Sequence, residues 1–239
     1  MRRAFIATTW TEDSADDDID TLIKAIDRCY DSLQPLLGRF GQFNPLPQLK
    51  VFGSWELSNT AATSPFPNFE WMIDRSLSDD GKAVVASRFV DMVHLEPWQS
   101  SFPHFDLTLI DLPLIDDVRR SATHYDALGM CQPGLVSVIS TAPLEVIDDP
   151  DLRALTLSHI VAHYLGRLVG TLELQPAGYI YPRAPHRHCL RTCAMRYLDD
   201  NPMLALSFAQ EQAEKGLIYC SDCQHDMVAA MVNYRLGIN

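Results

Sequence analysis

The stretch that most constrains this chain is 151–170, DLRALTLSHIVAHYLGRLVG. Its apolar residues (Leu152, Leu155, Leu157, Ile160, Val161, Tyr164, Leu165 and Leu168) recur at helical spacing and cover nearly the whole circumference. A helix without a wet face is a buried helix. Asp149 suits the N-cap, Pro150 the first helical position, and Gly170 the stop. His159 and His163 lie four apart and so point from one face. Such a pair suits one metal ion. It equally suits two core histidines, each satisfied by a hydrogen bond, and on spacing alone this second reading is the stronger.

The C-terminal part shifts that balance. Downstream come His188-Cys189, Cys193, Met195 and Cys220-Ser221-Asp222-Cys223. Four of the six cysteines fall in the last 51 residues, as CxxxC and CxxC. Without a sign of secretion, this spacing reads as a zinc site rather than as disulfides. Four soft thiolates make the usual tetrahedral zinc shell.

The order HxxxHxxG, HC, CxM, CxxC resembles the archaemetzincins, a branch of the metzincin zinc peptidases. Their pattern is HExxHxxGxxHC, four residues, C-x-M, a spacer and CxxC. In that family three histidines hold a catalytic zinc and the Glu is its general base. The Met forms a turn beneath the metal, and four cysteines bind a second zinc. His159, His163 and Gly166 match the helical part. His188 with Cys189 matches the HC pair, Cys193 and Met195 the C-x-M, and Cys220 and Cys223 the CxxC. Upstream, the strand-like DLTLI from Asp106 and GLVSVIS from Gly134 follow in the family's order, so the likeness covers roughly 104–239.

The resemblance implies an α/β, metzincin-like fold over 1–239. Its N-terminal lobe (1–170) holds a mixed, mostly parallel sheet and the active-site helix. Its C-terminal lobe (171–239) is small, helical and stapled by zinc at Cys189, Cys193, Cys220 and Cys223. It also implies a substrate-binding edge strand at Leu135, Val136, Ser137 and Val138, where a peptide lies by strand addition.

The departures are specific. Ile160 stands where the family has its Glu, and Val169 where it has the third histidine. The next histidines, His186 and His188, follow an insertion at about 169–187. Ile160 accepts no proton, and loss of a positioned general base costs roughly 10²–10⁴ in rate. The leading expectation is a degenerate peptidase that keeps the cysteine zinc and binds a peptide or protein partner. A second reading is an active zinc hydrolase with a second zinc on His159, His163 and His188, and a base such as Glu173. A third is a structural or regulatory protein whose only metal is the cysteine zinc.

The whole chain bounds these readings. With 239 residues it is long enough to bury about 70% of its unfolded surface. Its net charge of −12 argues against a phosphate-binding surface, hence against nucleic acid. No run approaches the ~18 apolar residues of a membrane span. The start, MRRAFIATTW, lacks the apolar core and cleavage site of a signal peptide, so a cytoplasmic protein is expected.

Along the chain, Ala4–Trp10 reads as a strand, followed by a helix from an acidic start that Pro35 and Gly38 end. Cys29 lies on that helix's apolar stripe and reads as an inert buried thiol. Lys50–Phe52 reads as a short strand, 53–68 as a loop, and 68–78 as a helix. Residues 82–95 fit a helical stripe, and 96–103 read as a loop whose Trp98 and Phe102 plug the core. Phe105–Leu112 and Leu135–Ser140 are β-rich. Pro113–Pro133 is expected to be a long connection, with His124 a possible ligand or substrate contact. A helix capped by Asn201 and closed by Gly216 comes next, then a turn at Cys220–Cys223 and a last helix from about Gln224.

Overall fold

The computed structural model describes residues 5–38, 45–57, 66–116, 124–171, 179–180 and 187–236. In chain order, β1 (Phe5–Trp10) leads into α1 (Asp16–Leu37), then β2 (Gln48–Val51) and α2 (Phe69–Ser76). Next come β3 (Val84–Val85), α3 (Ala86–Leu95), α4 (Pro97–Ser101), β4 (Phe105–Ile110) and β5 (Leu114–Ile115). The hairpin β6 (His124–Asp126) and β7 (Gly129–Gln132) precedes β8 (Val136–Ser140) and α5 (Pro150–Leu168). Last are β9 (Tyr179–Ile180), β10 (Arg187–His188), α6 (Pro202–Lys215) and α7 (Ser221–Leu236).

The main sheet has the order β2-β1-β4-β8-β7-β6. The first three pairings are parallel and the last two antiparallel. This is the mixed, mostly parallel sheet expected. Every residue of β4 is buried, because helices cover both faces. Phe105, Leu107 and Leu109 join a core built with α1, α5, α6 and α7. Ile110, Val136 and Val138 join a second core with α2 and α3. Such central strands read as apolar runs rather than alternating ones.

Helix α5 forms where its caps place it. Asp149 Oδ1 accepts hydrogen bonds from the amides of Asp151 (2.9 Å) and Leu152 (3.0 Å). Ile160, Leu165 and Leu168 are fully buried. Arg153 ties the helix to α1, donating from Nε (3.3 Å) and an Nη (2.7 Å) to the two oxygens of Asp18. The ring of Tyr164 presses on the sheet at Gly129. Cys29 is 1% exposed, and burial pushes its thiol up to about 12, as an inert thiol requires.

Several local expectations are corrected. The strand at Leu135–Val138 is not an edge: β8 is flanked by β4 on one side and β7 on the other. The hairpin hidden in the 113–133 connection supplies the extra strands, and β6 becomes the edge. Pro35 lies inside α1, which runs on to Leu37. Residues 82–95 divide into β3 and α3, and 96–103 contain the short helix α4. Trp98 packs against the second core, but Phe102 is 68% exposed and plugs nothing. The CxxC is not a free turn, since α7 begins at Ser221. Within the 169–187 insertion and at its end, β9 and β10 pair antiparallel. No helix among the described residues is long and apolar enough to cross a membrane.

The hairpin's close approach to α5 is testable at Gly129. A Cβ there would lie 2.6 Å from the Val138 carbonyl oxygen and 2.7 Å from the Tyr164 ring. Gly129→Ala is expected to lower stability by about 1–3 kcal/mol, the usual cost of overpacking a rigid site. Urea unfolding reads this, and an unchanged midpoint would mean that β7 is not pressed against the helix.

Candidate metal centre

The four cysteines meet. The ligand sulfurs of Cys189, Cys193, Cys220 and Cys223 all lie within 4.8 Å of one another, and all four thiols are buried. Cys189 Sγ and Cys220 Sγ are 3.7 Å apart. Two sulfurs on one tetrahedral zinc, each bonded at ~2.3 Å, sit about that far apart. The Arg191 amide donates to Cys189 Sγ and the Cys220 amide to Cys193 Sγ, each at 3.4 Å. Such N–H donors orient and stabilise thiolates.

Hydrogen bonds among the thiols push their pKa values apart. Hydrogen bonding with Cys193 lowers Cys189, and with Cys189 lowers Cys220. Donation to Cys189 holds both Cys193 and Cys223 well above the ordinary thiol range. A dipositive ion displaces those protons and takes four thiolates. The set therefore fits a structural zinc, with no position left open for a substrate.

This cluster fixes the segment beneath α5. The amide of Cys189 donates to the Met195 carbonyl, and Ala194 to Ile218, each at 2.9 Å. Ala194 in turn accepts from His163 Nδ1 at 2.8 Å. Met195 is fully buried against Gly166, where a Cβ would collide with its sulfur. Tyr219, beside Cys220, donates to the Ala162 carbonyl at 2.7 Å.

The histidines lie close by, all buried. Gln212 donates to the Ile218 carbonyl, so its Oε1 accepts from His159 Nδ1. Burial pushes His159 down to about 4. Burial, then the charge of Arg167, holds His163 well below its ordinary value. Both are neutral rings with Nδ1–H engaged and Nε2 as acceptor. The rings of His163 and His188 are 6.2 Å apart and nearly parallel, at 17°.

Sequence reasoning missed a residue here. Arg167 is 2% exposed, and its Nη donates to His188 Nδ1 at 2.7 Å. The signal was present as the one formal charge between Arg153 and Gly170, since buried arginines are paired. Among the described residues, two groups of three or more ligand atoms lie within 4.8 Å of one another. One is the cysteine cluster and the other is Glu96, His104 and Asp106; the three histidines of the helix region form no such group. Glu173 and His186 lie outside the described residues, as does the side chain of His124.

The comparisons bear on the fold. The chain superposes on the crystal structure of a zinc-dependent peptidase from Methanocorpusculum labreanum with a TM-score of 0.55. The match covers 93% of this chain and 99% of the other, at 12% sequence identity. The fold resembles that of a zinc-dependent peptidase. No protein-family model and no curated protein sequence matches the chain.

The cysteine site makes a direct prediction. Protein purified without added metal is expected to carry zinc at this cluster, read by elemental analysis. Cys223→Ser should abolish that zinc and lower the thermal midpoint by many degrees, because structural zinc contributes on the order of 10 kcal/mol to small folds. A zinc-free wild type with an undiminished midpoint would remove the site.

Proposed function

We propose that this chain is an archaemetzincin-like protein that keeps the peptidase fold and the cysteine zinc, and holds a peptide or protein segment without cleaving it. The observation that carries this reading is the buried Arg167 guanidinium against His188. A permanent positive charge among the histidines opposes a dipositive ion there by like-charge repulsion. Ile160 adds a second obstacle. It is fully buried in the core, so its position offers no proton acceptor. The peptide would add to β6, the antiparallel edge of the sheet. Free buried cysteines suit a reducing compartment, in keeping with a cytoplasmic protein.

One observation favours the second reading, an active zinc hydrolase. His159 and His163 both engage Nδ1 with a fixed acceptor, so that Nε2 is the acceptor nitrogen of each ring. His159 Nε2 is buried without a hydrogen-bond partner among the described residues. Metal-binding histidines are commonly oriented in this way. Zinc there would supply a Lewis acid. The chain's own part would be to hold the rings in place and to bring a carboxylate from the 169–187 segment as the base.

Metal counting separates the two. The proposed function expects a zinc content that the His159→Ala/His163→Ala double variant leaves unchanged, and no new fragments when peptide libraries are followed by mass spectrometry. Loss of one zinc in that variant, together with cleavage lost in Glu173→Gln, would overturn it in favour of the hydrolase.

A further inference from the structure

The second cluster, Glu96, His104 and Asp106, lies away from the cysteine site. It sits where the α3–α4 junction meets the start of β4, at one end of a cavity of about 510 Å³. Aromatic rings from Phe5, Phe52, Trp55, Trp98 and Phe102 line much of the rest, together with Lys50 and Glu56. Glu96 is 6% exposed, His104 3% and Asp106 7%. Two carboxyl groups side by side in an apolar wall are costly unless a cation meets them.

Among the described residues the protein's own cations meet Asp106 but form no ion pair with Glu96. His104 is the sole basic partner of Asp106 among the described residues, at 3.5 Å. Lys50 lies over the Phe5 ring at 4.0 Å instead. Glu96 is acted on by burial and by the charges of Asp106 and His104, and its carboxyl has no hydrogen bond within the described residues. A buried, unpartnered carboxyl thus faces the cavity beside a second one.

The histidine is set as a ligand. His104 Nδ1 donates to the Phe102 carbonyl at 2.7 Å, which turns Nε2 towards Asp106 Oδ2 at 3.5 Å and Gln99 Nε2 at 3.4 Å. Its ring stacks on Phe5 at 4.6 Å and 6°. Gln99 donates to Asp106 Oδ2 at 2.7 Å and orients that carboxylate. An anchored Nδ1–H and a hydrogen-bonded carboxylate are the usual outer support of a metal site.

We propose that Glu96, His104 and Asp106 bind a divalent transition-metal ion, of the Mn²⁺ or Zn²⁺ class, with a coordination position open to the aromatic cavity. Their ligand atoms lie within 4.8 Å of one another. The 3.5 Å between His104 Nε2 and Asp106 Oδ2 matches two donors each ~2.1 Å from one ion. One nitrogen and two carboxylates suit manganese or zinc better than a soft ion. The ion neutralises both carboxylates and takes the lone pair of Nε2. The open position faces the cavity, so a small ligand with an apolar body would meet the metal there.

The test uses full-length protein with its cysteine site already filled with zinc, and Mn²⁺ alone as the probe. Titration followed by the electron paramagnetic resonance of free Mn²⁺ is expected to show one ion bound per chain. Glu96→Gln and Asp106→Asn should each weaken it at least tenfold, with the cysteine zinc unchanged. Glu96→Gln keeps the shape and removes a buried carboxyl that makes no hydrogen bond among the described residues, so its thermal midpoint should not fall. No binding of Mn²⁺ or of further zinc overturns the proposal, as does binding that ignores Glu96→Gln. Binding of tetramethylammonium without metal also overturns it, and would make the cavity a cage for organic cations.

Discussion

Everything in this molecule leans on the burial of α5 from His159 to Leu168. A helix buried all round over that length cannot leave its polar side chains to water, so they need partners from the elements packed around it. Those partners come from the C-terminal third: the Ala194 carbonyl for His163, Gln212 for His159, and His188 for Arg167. Tyr219 meets the helix backbone at Ala162. The helix and the segments that satisfy it are mutually dependent, which is why one core runs through residues of both.

The cysteine cluster makes that dependence workable. The segments bearing Ala194, Met195 and Tyr219 have little regular structure of their own, and their position is set at the sulfurs. Met195 closes under Gly166 because the chain on either side of it is tied by Cys189 and Cys193. Metal, turn and helix form one mechanical unit. The same unit brings His188 beside α5, where Arg167 meets it.

Much of this was legible in residue order. The caps of α5 and α6, the burial of α5 from His159 to Leu168 and the meeting of the four cysteines follow from chemistry that the sequence states outright, whereas the first turns of that helix, apolar as they read, stay partly exposed. What was not legible depended on three-dimensional neighbours. The β6–β7 hairpin lay inside a stretch without a strong strand pattern, so β8 read as an edge when it is interior. Phe102 looked like core because it is aromatic, yet it rims a cavity. His104 and Asp106, two apart at the start of a strand, share one face. Their third member, Glu96, comes from a helix end, and no spacing rule connects it to them.

One consequence follows from where the four sulfurs sit along the chain. The ion ties Cys189 to Cys223 and so closes a loop containing the whole of α6. Closing a loop removes freedom chiefly from the unfolded chain, and the cost grows slowly with loop length. A bound ion would thus act as a clasp on a part of the chain made after the sheet. The residues of the parallel sheet and its first helices precede all four cysteines, whereas the floor under α5 would wait for metal. Zinc supply would then govern the final step of maturation, whatever the cleft goes on to hold.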